Sequence, residues 1–325
     1  MRKLYFLFPE LNIKQGGHTA QMAFLEISKR FCTAEAVTYK QKSEDVIYLD
    51  DVLMQDAETL QGCIFVIHWG PHVSNLLKRL KGLSVVYVAH STGWGFNLPT
   101  TVPILAVSRH TQSYWATKAP KNPVFYLPNV LAEQFYNNSE PREIDVLVMK
   151  RKTSSYVLNE LLPRLQSRCR VKLIDGWVDD IAYEMRNSKI FLYDSSEHWS
   201  KQGVSEGFGL PPLEAMACGC QVFSSLNHAL SDYLEPNVNC YQLAVHSTQY
   251  DLERILNTLD LWVPKHTTDQ LVDAYRSEKI ADRMHIILPA VNEFFNQLYR
   301  TRGKSAVEAK PSFSLLALIS ALMSG

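Results

Sequence analysis

The sequence carries no surplus of either charge: 33 Lys and Arg offset 33 Asp and Glu, so the formal net charge over 325 residues is zero. A general nucleic-acid binder is normally basic, which argues against that class of partner. Gly (14) and Pro (15) are not enriched, which removes collagen-like and low-complexity architectures. No apolar run reaches the ~20 residues that a membrane-spanning helix requires. The mostly apolar stretch Phe313 to Met323 falls well short, leaving open docking on the protein, contact with a membrane surface, or a disordered end. At the other terminus the apolar run Leu4–Phe8 is too short for the core of a signal peptide, and no small-residue cleavage site follows it. Paired metal-ligand cysteines are lacking too. Of Cys32, Cys63, Cys169, Cys218, Cys220 and Cys240, only Cys218 and Cys220 are close, and a lone C-x-C lacks the second pair of a structural zinc site. Free thiols in a reducing, cytoplasmic setting are expected. The apolar tail adds the option of a position peripheral to the inner face of a membrane.

What is present is core material. Hydrophobic residues make up 46% and charged residues 20%, enough to exclude disorder for most of the chain, and the length suits about two domains. Short apolar, β-branched or aromatic runs alternate with helical patterns. Strands are expected at Leu4–Phe8, Ile64–His68, Val85–His90, Ile104–Val107 and Val124–Leu127. A second series follows at Asp145–Met149, Val171–Ile174, Ile190–Tyr193, Gln221–Ser224 and Tyr241–Ala244. Helices are expected at Gly17–Phe31, Ser74–Leu80, Thr111–Thr117, Ser155–Arg168, Ile181–Asn187, Leu213–Cys218, Leu252–Leu259 and Ala281–Tyr299. Continuous apolar strands between amphipathic helices indicate parallel sheets covered on both faces. The polar stretch 137–143 divides the two series and reads as a linker. The expected architecture is α/β, with two doubly wound Rossmann-like domains facing each other across a cleft. Ligands of such folds bind beyond the carboxyl ends of the strands, so function should lie in the strand-to-helix loops.

The most informative segment is Ser205-Glu206-Gly207-Phe208-Gly209-Leu210-Pro211-Pro212-Leu213-Glu214-Ala215-Met216-Ala217-Cys218-Gly219-Cys220. Pro211 and Pro212 suit a helix start, where the first N–H groups have no intrahelical partner, and Gly219 suits its stop. Gly207 and Gly209 allow backbone to press against a ligand. Glu206 in the loop and Glu214 near the first helical turn are acceptor-only carboxylates able to bridge vicinal hydroxyls, as on a sugar or ribose. The free N–H groups of Phe208, Gly209 and Leu210 would donate to hydroxyl or phosphate oxygens.

This string resembles the signature of the retaining glycosyltransferases of family 4 (group 1 glycosyltransferases), which have the GT-B fold. That motif is two glutamates separated by seven residues, here Glu206 and Glu214, with Gly-Phe-Gly-Leu-Pro between them. The resemblance implies that Glu206 addresses the transferred sugar and Glu214 the ribose of a UDP-, GDP- or similar nucleotide-sugar donor, with no cofactor and no metal. It also covers Gln15-Gly16-Gly17, similar to the family's glycine loop near the donor phosphates and, physically, an anion nest at a helix N-terminus. His90, at a strand end, stands where the family commonly has a histidine facing the donor sugar. The implied domains are 1–136 on the acceptor side, 144–285 on the donor side, and 286–325, a helix crossing back to the first domain plus the apolar tail. The acceptor, a glycan, a lipid or a small molecule, is not legible.

One departure stands out. The family usually carries a Gly-Arg pair and a later lysine on the donor pyrophosphate after the first strand of its second domain. Here that strand runs into Lys150-Arg151-Lys152, which keeps the charge without the glycine or the spacing. Three cations there could still stabilise a leaving diphosphate. The stretch 197–204 also lengthens the loop before Glu206. Other motifs dissolve on inspection. Gly203-Val204-Ser205-Glu206-Gly207 matches G-x-S-x-G, but polar residues precede the serine and the prolines delay the helix. His68 and His72 flank Gly70-Pro71, which excludes a helical zinc pair. Gly303-Lys304-Ser305 lacks the upstream glycine of a phosphate loop. No Asp-x-Asp occurs, so the metal-bridged diphosphate site of the other large glycosyltransferase fold is absent. Two readings stay open, a metal-independent retaining glycosyltransferase and a catalytically silent GT-B scaffold that binds a sugar or nucleotide.

Overall fold

The computed structural model describes residues 1–11, 16–42, 45–138, 140–263 and 269–303. Gln15, Ser139, Lys304-Ser305 and the apolar tail lie outside the described residues. Seven strands form the first sheet: β1 (Lys3–Phe8), β2 (Ala34–Thr38), β3 (Ile47–Tyr48), β4 (Cys63–His68), β5 (Ser84–Ala89), β6 (Ile104–Ala106) and β7 (Val124–Tyr126), in the order β3-β2-β1-β4-β5-β6-β7. Five form the second: β8 (Ile144–Met149), β9 (Val171–Ile174), β10 (Ser188–Tyr193), β11 (Gln221–Ser224) and β12 (Cys240–Gln242), in the order β12-β11-β10-β8-β9. Among the described residues every strand pairing is parallel. Strands β4 and β5 are buried along their whole length, as expected of apolar runs sandwiched between helices.

The expected α/β architecture of two doubly wound halves is therefore present. Strands β2 and β3 are additions. Ala34-Glu35-Ala36-Val37-Thr38 is too polar to read as a strand, but its register against β1, from Leu4↔Ala34 to Phe8↔Thr38, recruits it. Strand β3 is two residues seated on Val37 and Thr38. The helix expected over Ser155–Arg168 does start at Ser155, but it widens into a π-turn at Val157–Leu161 before the α-helix Leu162–Gln166. Pro163 has no N–H to donate back along a regular helix, and the wider turn before it absorbs the missing bond.

Each sheet reverses its winding direction once: the first between β1 and β4, the second between β8 and β10. Such switch points leave a crevice at the carboxyl ends of the strands. The long helix Ser277–Gly303 starts ahead of residue 286 and lies against the first half of the chain. There Arg2 donates its backbone N–H to Asn292 (3.1 Å) and its guanidinium to Asn296 (2.8 Å), and Ser84 meets the Tyr299 hydroxyl at 3.2 Å. All six cysteines are free thiols.

Candidate active site

The switch point of the second sheet gathers the strongest chemistry. Strand β8 ends at Met149 and delivers the three cations, and the structure separates them. Lys150 pairs with Asp175 at 2.5 Å, Arg151 is exposed, and Lys152 turns inward to stand 3.6 Å from Glu206 Oε1. Lys152 adopts a left-handed backbone (φ 69°), which turns it away from its neighbours. Burial pulls the Lys152 ammonium below its ordinary value, while the Glu206 carboxylate opposes that shift. Strand β10 ends at Tyr193 on the other side of the crevice. Glu206 is 4% exposed, and its Oε2 accepts from the Tyr193 hydroxyl (2.6 Å) and from Trp199 Nε1 (2.7 Å). The Glu206 backbone is held as well, since its N–H donates to His228 Nδ1 (3.2 Å) and its carbonyl accepts from Ala229 N–H (3.3 Å).

The stretch before Glu206 is not an extended loop: Ser196–Gln202 forms a helix. Its entry is anchored by Glu197, which accepts from the backbone N–H and hydroxyl of Ser155 at 2.6 and 2.8 Å. Its exit is Gly203 in the left-handed region. The polar pattern His198–Gln202 lacks an apolar stripe, so periodicity gave no sign of this helix.

The turn after Glu206 has a steric logic. A Cβ on Gly209 (φ 82°) would sit 2.3 Å from Leu230 Cδ2, so both conformation and space demand glycine there. Gly209 caps a helix at Leu210–Ala217 whose first turn contains the two prolines. The helix begins at Leu210 rather than at Leu213, which sets Glu214 one turn inside it. Phe208 turns its ring inward onto Tyr233 and Tyr275, with centroids 5.8 and 5.4 Å away, so only its backbone faces the site.

Desolvation alone pushes the Glu214 carboxyl up to about 8, although the residue as a whole keeps some surface. The folded protein holds this proton above the ordinary value of 4.5, so the stability it contributes is complete below that pH and is lost as pH rises through about 8. The ligand-free protein should therefore lose Tm between about pH 5 and about pH 8 relative to Glu214→Gln. Parallel pH profiles of the two proteins would contradict the buried, protonated state.

The first sheet contributes the opposite wall. Gly16 and Gly17 open the helix Gly16–Ser28 after β1. A Cβ on Gly16 would meet nothing within 4 Å, and one on Gly17 would meet His90 Cγ at 4.0 Å, so internal packing does not demand either glycine. His90 lies just past β5, with Nε2 3.2 Å from Gln21 Oε1, and burial pulls its pKa down to about 3. It belongs to a row of buried imidazoles, with His68 5.7 Å from His90 and His18 6.4 Å from His68, centroid to centroid. Burial depresses all three, so they are neutral at pH 7. Among the described residues no three His, Cys, Asp or Glu side chains are arranged to hold a metal ion.

The two walls touch. Thr92 donates its N–H (3.0 Å) and hydroxyl (2.9 Å) to Ser205 Oγ, and Ser205 returns its N–H to the Thr92 carbonyl at 3.3 Å. Arg109 N–H donates to Asp232 at 2.6 Å, and the His110 and His228 rings stand 5.1 Å apart. Ser205 is thus a seam residue bonded to Thr92, not an exposed nucleophile on a strand end.

The structure brings Glu206 and Lys152 together and places His90 and Gly17 side by side across the seam. It sets Lys150 and Arg151 further out. Tyr193, Trp199 and His228 were not foreseen. Only Trp199 left a trace, as a large aromatic in the lengthened stretch before Glu206.

Residues 164–266 match the family model of the glycosyl transferases group 1, a span that includes both glutamates and the turn between them. No curated protein matches the chain significantly in sequence. Among solved structures, the chain is similar to sucrose-phosphate synthase (tll1590) from Thermosynechococcus elongatus, with 13% identity and a TM-score of 0.62 over 93% of this chain and 100% of that one. It is similar to Anabaena Alr3699/HepE in complex with UDP-glucose, with 14% identity and a TM-score of 0.61 over 89% and 100% of the two chains. A glycosyltransferase from Rickettsia africae ESF-5 aligns over 95% of this chain and 99% of its own, with 11% identity and a TM-score of 0.57. At such identities the likeness is one of fold, and the fold is GT-B.

Proposed function

We propose, for a chain whose residues 164–266 mark it as a group 1 glycosyltransferase and whose fold is GT-B, a retaining, metal-independent transfer of a sugar from a nucleoside diphosphate sugar to a glycan, lipid or small-molecule acceptor. The observation that carries the reading is the ion pair of half-buried Lys152 with buried Glu206 at the switch point of the second sheet, on the other side of the seam from His90 and Gly17. The second half takes the donor and the first half the acceptor. Glu206 addresses the transferred sugar from one side and His90 from the other. Glu214 accepts from the ribose hydroxyls, which favour its ionised form.

Breaking the anomeric bond leaves negative charge on the diphosphate. Lys152 supplies a fixed cation there, with Lys150 and Arg151 as outer charge. The helix N-terminus at Gly16-Gly17 and the N–H groups of Phe208, Gly209 and Leu210 add oriented donors. The HepE structure contains UDP-glucose, which makes UDP sugars the first donors to try. A scaffold that binds without turnover is the other reading of the altered basic segment. Lys152 beside Glu206 favours the enzyme over it, because the cation that the departure put in doubt stands at the carboxylate.

The test is a screen of UDP- and GDP-sugars for donor-dependent release of free nucleoside diphosphate, with the product anomer read by NMR. Release with retained configuration is expected, and EDTA should leave the rate nearly unchanged. Binding without release would favour the scaffold, and an absolute requirement for magnesium or manganese would sink the metal-independent mechanism.

A further inference from the structure

We infer that Trp199 is a positioning residue for this reaction, holding both members of the Lys152–Glu206 pair; the inference rests on the function proposed above. Three contacts carry it. The indole N–H donates to Glu206 Oε2 at 2.7 Å, and the Tyr193 hydroxyl donates to the same oxygen at 2.6 Å. The Lys152 ammonium lies 4.3 Å from the centroid of the Trp199 ring and 3.6 Å from the other carboxylate oxygen, Oε1.

A carboxylate oxygen has two lone pairs, so two donors saturate Oε2. Oε1 is then the oxygen left to accept from a sugar hydroxyl, and the carboxylate can no longer rotate to offer the other. The same indole presents its face to Lys152, where the ring quadrupole attracts the cation. One side chain thus fixes which oxygen meets the sugar and where the cation stands for the leaving diphosphate. Trp199 is itself held, because its helix is tied to Ser155 through Glu197 and ends at Gly203, which packs against the seam. A Cβ on Gly93 would lie only 2.4 Å from the Gly203 carbonyl oxygen, so the helix end is wedged against the first half of the chain.

Trp199→Phe keeps a ring face for Lys152 and removes the N–H. With UDP-glucose as donor, kcat should fall about 10- to 100-fold, as when an oriented supporting hydrogen bond is lost. The Kd for UDP should stay within about twofold, because the diphosphate cation keeps its platform. Trp199→Leu, which also removes that platform, should weaken UDP binding several-fold further. A merely structural role would lower Tm and depress kcat and UDP affinity together. The decisive comparison places Trp199→Phe in a Glu206→Ala background. If the indole acts through Glu206, the second substitution costs little beyond the first. A full multiplicative loss there, or a Trp199→Phe enzyme within twofold of wild-type kcat, overturns the positioning role. Should Trp199→Phe fail to fold, benzothienylalanine at position 199 keeps the fused ring and removes only the N–H. The same kcat criterion then applies. A wild-type protein that neither binds UDP nor turns over any UDP- or GDP-sugar defeats the functional reading itself, and this inference with it. Turnover by the wild type with no kcat effect at position 199 defeats the inference alone.

Discussion

Gly207→Ala should nearly abolish activity. A Cβ at this position would lie 1.5 Å from the His90 carbonyl oxygen, 2.4 Å from its carbon and 3.0 Å from Ser91 Cα. All three are backbone atoms of the opposite wall, so no rotamer change relieves the clash. Ordinary contact needs about 3.4 Å, so the seam must open by roughly 2 Å. Opening breaks the bonds between Thr92 and Ser205, whose lengths are 2.9 to 3.3 Å, and carries Glu206 away from the His90 side. Misplacing catalytic groups by about 1 Å typically costs on the order of 10²-fold in rate, so a drop of at least about 10² in kcat is expected. Overpacking of this kind also destabilises by about 1–3 kcal/mol, and Tm should fall accordingly. Steady-state rates and thermal melts on one preparation give both numbers. Wild-type rate and Tm in Gly207→Ala would mean that the two walls are not in contact in solution.

Glu206→Gln should lower kcat by about 10²-fold, the usual scale for removing a preorganised electrostatic contact to the reacting centre. The amide keeps the shape and one oxygen for Tyr193 and Trp199, but it then points an NH₂ group at Lys152 and the sugar, where the carboxylate had an acceptor. UDP affinity should change far less, since Lys152, Glu214 and the N–H groups of the glycine turn, the proposed contacts to the nucleotide, are all retained. Losing a contact made chiefly in the transition state lowers kcat, whereas losing a ground-state contact raises KM. Glu214→Gln should show the converse pattern, mainly in KM and in UDP Kd. An unaltered kcat in Glu206→Gln would remove Glu206 from the reacting centre. A loss of Tm matching the loss of rate would instead mark Glu206 chiefly as the structural counterion of half-buried Lys152.

The sequence by itself determined the architecture, because burial on two faces leaves a local mark. Strands such as β4 and β5 are continuous apolar runs, and no partner strand has to be known to see that both their faces are covered. The polar strand β2 leaves no such mark, and only its ladders with β1 and β3 make it a strand. The glutamates, the glycines between them and the prolines were legible for a similar reason. Turn geometry, helix starts and acceptor chemistry are written in residue types at short spacing.

Tertiary structure alone decided which groups meet. Three adjacent cations look equivalent along the chain. The left-handed backbone at Lys152 and the Asp175 partner of Lys150 select the one that reaches Glu206. Trp199 and Tyr193 are local in sequence, yet their convergence on one carboxylate oxygen depends on a helix with no apolar stripe to announce it. Gly207 reads as room for a ligand, but its Cβ position is filled by the backbone of His90, 117 residues earlier in the chain. The raised Glu214 and the depressed His18, His68 and His90 follow from enclosure, which is set by everything packed around them. Residue type and spacing encode what a segment can do. The dielectric around a group and the partner across a seam come from the whole fold, and no local window contains them.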